Sequence, residues 1–152
     1  MGEIYTYFAA KDDDAAAAVF AEIMADRSLL VPEGGALTEI EPFMQLTQMV
    51  ARLGGPSGEE LQEDPRWGAA VATDEASGST VCSYAMACLE PLAAAEPEQL
   101  RQALLTWYDE EEFWEPSEEE LAPTLADLTM IADLARTSRD HGYPSIYTLY
   151  LF

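Results

Sequence analysis

The segment SEEELAPTLADLTMIADLARTSRDHGYPSIYTLYLF, residues 117–152, decides the fold because it predicts one long helix followed by one strand. Ser117 and Glu120 have the spacing of a capping box, whose hydroxyl and carboxylate bond backbone N–H groups that a first helical turn leaves unpaired. Proline is favourable at the first position of a helix and costly further in. Pro123 therefore predicts a separate single turn before it and a main helix from Pro123 to about His141.

The predicted main helix has one broad apolar face. Its apolar residues recur every three or four positions, which is the spacing of one side of a helix. They are Leu121, Leu125, Leu128, Ile131, Ala132 and Ala135. Gly142 can adopt the left-handed conformation that ends many helices, so the pattern predicts a core helix that stops there.

Residues 145–152 predict a strand, because they are rich in β-branched and aromatic residues and contain no glycine or proline. Both faces of this strand are apolar, which is typical of a strand covered on each side by another layer or by a partner chain. Residues 3–9 predict a second strand, and the tripeptide Ile-Tyr-Thr occurs in both segments. We therefore expect the two terminal strands to lie in the same sheet.

The rest of the chain predicts three more main helices and a β-hairpin. The helices are expected near residues 13–27, 39–53 and 97–109, and the hairpin strands over 68–73 and 79–85. A length of 152 residues is typical of one domain. The chain is therefore expected to form a single α+β domain with a small, largely antiparallel sheet of about four strands and helices packed mainly on one face.

Local signals refine these boundaries. Pro91 and Pro97 are each expected at the first position of a helix. Residues 29–31 are expected to form a short buried segment. The expected helix caps are Asp12 or Asp13, Thr38 with Glu41, and Ser57 with Glu60.

Net charge is the most unusual property of the chain. Its 29 acidic and 7 basic residues give a formal net charge of -22 at pH 7. Nucleic-acid binding needs clustered basic residues that release phosphate counterions, whereas the arginines here are scattered and Lys11 is the one lysine. A field of this sign repels nucleic acid and anionic membranes and attracts basic surfaces. We therefore expect no nucleic-acid or membrane partner, and a basic protein as the candidate partner.

A plainer explanation of the charge stands beside this one. The chain has no asparagine, one lysine and abundant alanine, which resembles the composition of proteins encoded by GC-rich genomes. Acidic surfaces also keep proteins soluble. Composition alone leaves both explanations open.

Residues 107–116, WYDEEEFWEP, have the most unusual local composition in the chain. Aromatic rings supply contact area, and carboxylates steer a basic partner toward them. The candidate partner-binding residues are Trp107, Tyr108, Asp109, Glu110, Glu111, Glu112 and Trp114. The alternative is that Trp107, Phe113 and Trp114 turn inward and the acidic residues form a solvated loop.

Arg136, Arg139 and His141 are a candidate site for a small anion at the end of the predicted long helix. The alternative is that these groups only compensate the negative end of the helix dipole. A ligand-binding or enzymatic function here would need a cavity beside them.

No motif in the chain names a reaction. It contains no G-x-S-x-G elbow, no H-E-x-x-H helix and no glycine-rich phosphate loop followed by lysine. Cys82, Cys88 and the single histidine are too few to complete a zinc site, so we expect no metal and no cofactor. Both cysteines are expected to be small buried residues, reduced in a cytoplasmic chain.

These observations favour a non-enzymatic binding protein whose acidic surface meets a basic protein. In composition alone it resembles immunity proteins that neutralise cationic toxins. Two alternatives stay open. One is a small-ligand-binding or enzymatic domain with a pocket near the end of the helix over 123–141, and the other is a structural homodimer joined through the sheet.

Overall fold

An antiparallel sheet of five strands joins the two ends of the described chain. The computed structural model describes residues 4–26, 32 and 34–152, so the segment expected at residues 29–31 lies outside the described residues. The strands are β1 (Tyr5–Ala9), β2 (Ala36–Thr38), β3 (Ala69–Thr73), β4 (Thr80–Ala85) and β5 (Ser145–Tyr150). The helices are α1 (Asp13–Ala25), α2 (Thr47–Arg52), α3 (Gly58–Glu63), α4 (Met86–Ala94), α5 (Pro97–Glu111) and α6 (Glu118–Asp140), and a π-helical segment (Pro42–Leu46) leads into α2.

The terminal strands pair directly, which confirms that they share a sheet. The strand order is β2-β1-β5-β4-β3, and all neighbouring strands are antiparallel. Tyr7 lies opposite Thr148, and Phe8 lies opposite Tyr147. Because β5 is the central strand, a layer packs on each of its faces, which explains why both are apolar. The α+β fold class is confirmed, with five strands rather than about four.

The additional strand is β2, which pairs with the edge of β1. Thr38 was expected to form a capping box with Glu41, and this prediction is wrong because Thr38 belongs to β2. The Glu41 carboxylate instead accepts hydrogen bonds from the N–H groups of Phe43 and Met44. The helix expected over 39–53 consequently begins later, as the π-helical segment followed by α2.

One face of the sheet carries the main core. Tyr7, Cys82, Tyr84 and Ile146 contribute to it from the strands. The helical side of this core includes Met49 and Val50 from α2, Leu61 from α3, Leu89 and Leu92 from α4, Leu100 and Leu104 from α5, and Leu128 and Ile131 from α6. Five of the six helices named above therefore lie on this face, as predicted.

Helix α1 covers the opposite face of the sheet. Phe20 and Ile23 of α1 pack with Phe8, Tyr147 and Leu149 of the strands. The rings of Phe8 and Tyr147 are stacked, with centroids 5.6 Å apart. The apolar second face, which suggested a covering partner chain, is thus covered from within the chain. Self-association through the sheet stays a prediction, but an uncovered apolar face no longer supports it.

The helix boundaries follow local chemistry except at two prolines. Asp12 caps α1, capping boxes form at α3 and α6 from the expected residue pairs, and Gly142 with φ 72° follows the end of α6. Pro97 lies in the first turn of α5 as expected, but Pro91 lies inside α4. Pro123 also lies inside a helix, because α6 runs without a break from Glu118. Buried leucines on both sides of Pro123 anchor α6, and their packing outweighs a proline cost of about 3 kcal/mol.

Candidate functional site

The predicted partner-binding residues lie at the C-terminal end of α5. The buried face of this helix consists of Leu100, Ala103 and Leu104, which are close to fully buried. Trp107 and Tyr108 follow one turn later, partly buried and packed against the edge of the main core. The apolar face of α5 therefore continues to the place where the core ends, and it puts two aromatic rings there.

Trp107, Tyr108 and Trp114 form one aromatic cluster. The ring centroids of Trp107 and Tyr108 are 5.0 Å apart at an interplanar angle of 74°, and those of Tyr108 and Trp114 are 5.6 Å apart at 83°. Trp107 Nε1–H donates to Gln48 Oε1 at 2.6 Å, and the Tyr108 hydroxyl bonds Thr124 Oγ1 at 3.2 Å. Because Gln48 belongs to α2 and Thr124 to α6, three helices hold the cluster.

A left-handed residue folds Trp114 back onto this cluster. Phe113 has φ 50°, a conformation that bulky residues rarely adopt. The turn brings the Trp114 N–H to the Tyr108 carbonyl at 3.3 Å, while the side chains of Phe113 and Trp114 stay 89% and 45% exposed. Such strain costs about 1–3 kcal/mol and is typical of functional sites. The turn is therefore a candidate for function and not only for stability.

The three rings line a surface cavity of about 250 Å³. Its remaining lining residues are Glu39, Gln45, Glu112 and Thr124. Glu39 and Glu112 are both exposed, and neither forms an ion pair with any residue that the structure describes. The cavity therefore combines aromatic walls with an acidic rim.

The four acidic residues predicted to contact a partner fall into two pairs. Glu110 and Glu111 both pair with Arg52 of α2, at 2.7 and 2.8 Å. Asp109 and Glu112 are exposed and have no ion-pair partner within residues 4–26, 32 and 34–152. One pair ties α5 to α2, and the other faces solvent, with Glu112 lining the cavity of the rings.

The helix dipole does not favour these acidic residues. The C-terminal end of a helix carries partial negative charge, so carboxylates in its last turn are destabilising and cations are stabilising. The last turn of α5 contains no basic residue. The helix dipole therefore gives no reason for acidic residues at this end, and the ion pairs with Arg52 account only for Glu110 and Glu111.

Arg136, by contrast, is bonded within its own chain. Its guanidinium donates to the carbonyls of Ala93 and Ala95 at 3.0 and 3.2 Å, and it pairs with Asp133 at 2.8 Å. These bonds join the end of α4 to α6. Three of the five N–H donors of this guanidinium are therefore engaged within the protein, and its charge is paired with a carboxylate.

Arg139 and His141 lie on different cavities. Arg139 and Arg136 line a cavity of about 480 Å³, and His141 lines another of about 520 Å³. Arg139 pairs with Asp140 at 3.2 Å, and His141 Nδ1 lies 2.7 Å from the carbonyl oxygen of Thr137. Cavities thus exist at the end of α6, but the structure does not bring the three predicted anion-binding residues into one of them.

A third charged cluster ties α1 to β5. Arg66 forms a bidentate pair with Asp13, at 2.6 and 3.0 Å, and also donates to Ser145 Oγ. The Tyr147 hydroxyl donates to the same Asp13 carboxylate at 2.9 Å. The hydrogen bonds from Arg66 lower the pKa of Asp13, and burial raises the pKa of Tyr147. This cluster stabilises the packing of α1 on the sheet.

A larger cavity, of about 610 Å³, lies beside the ends of β1 and β5. Ile4 and Phe152, both largely exposed, contribute to its lining together with Glu41. The Glu41 carboxylate already accepts two backbone hydrogen bonds at the start of the π-helical segment. This cavity is apolar at its rim, and its acidic group is engaged in capping.

The cysteines do not form a reactive site. Cys82 and Cys88 are free and buried, as expected. Burial raises the pKa of Cys82, and burial together with the Asp64 carboxylate raises the pKa of Cys88 to about 11, which disfavours a thiolate nucleophile. Among the described residues, no group of His, Cys, Asp or Glu side chains could hold a metal ion. No helix in that part of the chain has the length and apolar character needed to cross a bilayer.

Comparison with known proteins gives no further guide to function. The chain matches no family of proteins, no curated protein and no solved structure. Function is therefore inferred from the geometry and charge of this chain.

The sequence located the rings of the cavity but missed part of its lining. Glu39, Gln45 and Thr124 come from the segments around β2, the π-helical segment and α6, far from residues 107–116 in the chain. The backbone N–H of Glu39 donates to the Asp127 carboxylate of α6 at 3.0 Å, which places the Glu39 backbone beside the cavity. No local pattern predicts that contact, because it depends on the pairing of β2 with β1.

Proposed function

We propose that this protein is a non-enzymatic, cytoplasmic binding module for a basic protein, which it contacts at the end of α5. The observation that supports this proposal is the cluster of Trp107, Tyr108 and Trp114, with the exposed Glu112 lining the same cavity and the exposed Asp109 next to Tyr108 in the chain. Binding energy at protein interfaces is concentrated in aromatic and arginine anchors, and surrounding charges select and steer the partner. The end of α5 has both features.

Net charge and local charge have separate roles in this proposal. The net charge of -22 attracts any basic molecule at long range. At about 0.15 M salt, exposed charges are screened beyond roughly 8 Å, so only carboxylates near the contact act on a bound partner. Asp109 and Glu112 are therefore expected to matter more than equally acidic residues elsewhere.

The alternatives have less structural support. The guanidinium of Arg136 and the carboxylate beside it satisfy each other, and Arg139 also has a carboxylate partner. A small anion at the end of α6 would have to compete with these carboxylates for the two arginines. The apolar sheet face that suggested a homodimer is covered by α1.

A charge-reversal experiment tests the proposal. The probe is a short peptide of alternating arginine and glycine, and its affinity is measured by calorimetry at about 0.15 M salt. The site variant is Asp109→Lys/Glu112→Lys, and the control is Glu22→Lys/Glu75→Lys, at two exposed positions on α1 and in the β3–β4 turn. Each reversal changes the charge by two units, so both variants carry -22 + 4 = -18.

We expect the site variant to bind the peptide about tenfold more weakly than the native protein, and the control to bind it within about threefold. Equal losses in the two variants would show that only the overall field acts. Affinity no greater than for a serine–glycine peptide would also refute the proposal.

A further inference from the structure

We infer that the cavity at the end of α5 binds the guanidinium group of an arginine on the basic partner, an assignment that rests on the proposed function. Three features of the cavity lead to it: its size, the aromatic rings that form its walls, and the carboxylates on its rim. The size argues against drug-sized ligands, the walls favour a cation, and the rim favours arginine among cations.

The size of the cavity excludes drug-sized ligands. Pockets for such ligands have volumes of about 300–1,000 Å³. The cavity measures about 250 Å³ and is open to solvent. It therefore suits one side chain that enters from a partner's surface.

The walls of the cavity favour a cation. Trp107 and Trp114 each lie nearly perpendicular to Tyr108, so the cluster presents rings in more than one orientation. The Trp107 N–H and the Tyr108 hydroxyl are bonded to Gln48 and Thr124. Their polar edges are thus engaged within the protein. Aromatic faces attract a cation placed within roughly 6 Å of the ring centroid, and they do so more often for arginine than for lysine.

The rim distinguishes a guanidinium from other cations. Glu39 and Glu112 are exposed carboxylates with no ion-pair partner in the described chain, so each can accept hydrogen bonds. A guanidinium can stack on a ring and donate in its own plane to carboxylates at the same time. A quaternary ammonium has no N–H to donate, and a lysine ammonium is compact and strongly hydrated. Arginine can therefore stack on the rings and donate to the carboxylates of the rim at the same time.

The backbone that carries the two carboxylates is also ordered before binding. The Glu39 N–H donates to Asp127, and the Glu112 N–H donates to the Tyr108 carbonyl at 3.1 Å. The left-handed turn at Phe113 fixes the chain that follows. A site whose backbone is already ordered loses less entropy on binding.

Binding of N-acetyl-arginine amide is the test, with N-acetyl-citrulline amide as the neutral probe of the same shape. The readout is the chemical shift of the Trp114 indole N–H, which reports occupancy of the cavity. We expect the citrulline probe to bind at least about tenfold more weakly, because it lacks the charge that the rings and carboxylates recognise.

Matched variants separate the cavity from the acidic surface around it. Glu112→Gln is compared with Glu115→Gln, an exposed neighbour that does not line the cavity. Trp114→Leu is compared with Phe113→Leu, which also removes an exposed ring outside the lining, and for this pair the readout is the indole N–H of Trp107, which lines the same cavity. Both cavity variants are expected to bind the arginine probe at least about fivefold more weakly, and both neighbours within about twofold.

Three results would overturn the assignment: equal binding of the two probes, equal losses at Glu112 and Glu115, or tighter binding of N-acetyl-lysine amide or tetramethylammonium than of the arginine probe. The proposed function can survive these results. If the arginine–glycine peptide still binds and still depends on Asp109 and Glu112, only the guanidinium site is lost. If that peptide does not bind at all, the proposed function fails.

Discussion

The C-terminal ends of α5 and α6 both carry clusters of charged residues, yet the fold treats them in opposite ways. At the end of α6, Arg136 and Arg139 are bonded to carbonyls and carboxylates of the same chain. At the end of α5, Asp109 and Glu112 face solvent, and Glu112 lines a cavity with three aromatic rings. A charged cluster that the sequence predicts to be a binding site remains a candidate only where the fold leaves its charged groups without partners in the same chain.

The helix dipole strengthens this contrast. Arginine near the C-terminal end of α6 is stabilising, so helix electrostatics account for it. Acidic residues near the C-terminal end of α5 are destabilising by the same rule. Helix electrostatics therefore account for the cations of α6 and do not account for Asp109 and Glu112 of α5.

The largest expected effect concerns the internal bonds of Arg136. Arg136→Ala should lower the free energy of unfolding by about 2 kcal/mol, a value reduced for the partial exposure of the side chain, because it removes the bonds that join α4 to α6. Urea denaturation measures the change. Arg139→Ala is the control and should change stability by less than about 0.5 kcal/mol. Similar effects of the two substitutions would remove the distinction between Arg136, which is bonded to backbone carbonyls at the end of α4, and Arg139, whose partners are exposed carboxylates.

The next prediction concerns the strained turn at the end of α5. Phe113→Gly should raise the free energy of unfolding by about 1 kcal/mol, because glycine adopts a positive φ without strain and the lost ring is almost fully exposed. Phe113→Ala keeps the strain and is expected to leave stability within about 0.5 kcal/mol of the native value. Thermal or urea denaturation compares the two. A loss of stability in the glycine variant would mean that the Phe113 ring is needed for folding.

The pH dependence of the free energy of unfolding tests whether the Arg66–Asp13 ion pair stabilises the fold, as the bonds of Arg136 are expected to do. Because Arg66 lowers the pKa of Asp13 in the folded state, the pair stabilises the protein above the unfolded pKa of about 4. That contribution is lost as the pH falls through the lower folded-state pKa. Asp13→Asn should cost about 0.5–1 kcal/mol at pH 7, a value reduced for the partial exposure of the pair.

The difference between the native protein and Asp13→Asn should shrink when both are unfolded in urea at acid pH. Asp14→Asn makes the same change of charge at an exposed neighbour without an arginine partner in the described chain. A constant difference for Asp13→Asn at all pH values would mean that its carboxylate charge is not what stabilises the fold.

The smallest expected change in the free energy of unfolding tests the dipole argument for the acidic end of α5 directly. Glu112→Lys should raise the free energy of unfolding by about 0.5 kcal/mol, since a cation suits the C-terminal end of α5, while it weakens binding of the arginine–glycine peptide. Glu98→Lys makes the same change in the first turn of α5, where an acid is favourable, and should lower stability by a similar amount. If Glu112→Lys destabilised the protein, its carboxylate would have a structural role that the distances do not show.

Much of the fold could be predicted because its central elements are locally encoded. β5 is apolar on both faces since it lies between two layers, and the capping boxes at Ser57 and Ser117 depend only on neighbouring residues. Thr38 carried the same kind of signal, yet it lies in β2 because pairing with β1 outweighs a local cap. Pro123 was misplaced for a related reason, since packing on both sides of it holds α6 together.

The candidate site was only partly predictable for the same physical reason. The rings and acids of residues 107–116 are adjacent in sequence, so composition was enough to find them. Composition could not show that Arg52 binds Glu110 and Glu111 and leaves Asp109 and Glu112 exposed, since that pairing joins helices about 60 residues apart. The cations of α6 were predicted to bind an anion because the sequence could not show that Arg136 donates to carbonyls at the end of α4.

The most direct measurement is a two-dimensional NMR titration of the ¹⁵N-labelled protein with the arginine–glycine peptide. The chain has three tryptophans, and Trp67 serves as an internal reference because it does not line the cavity. Its indole N–H donates to Thr47 Oγ1 at 3.2 Å. We expect the indole signals of Trp107 and Trp114 to move together with the backbone amides of residues 107–115, while the Trp67 signal stays in place. Small shifts spread evenly over the acidic surface, with the Trp107 and Trp114 signals unmoved, would contradict a binding site at the end of α5.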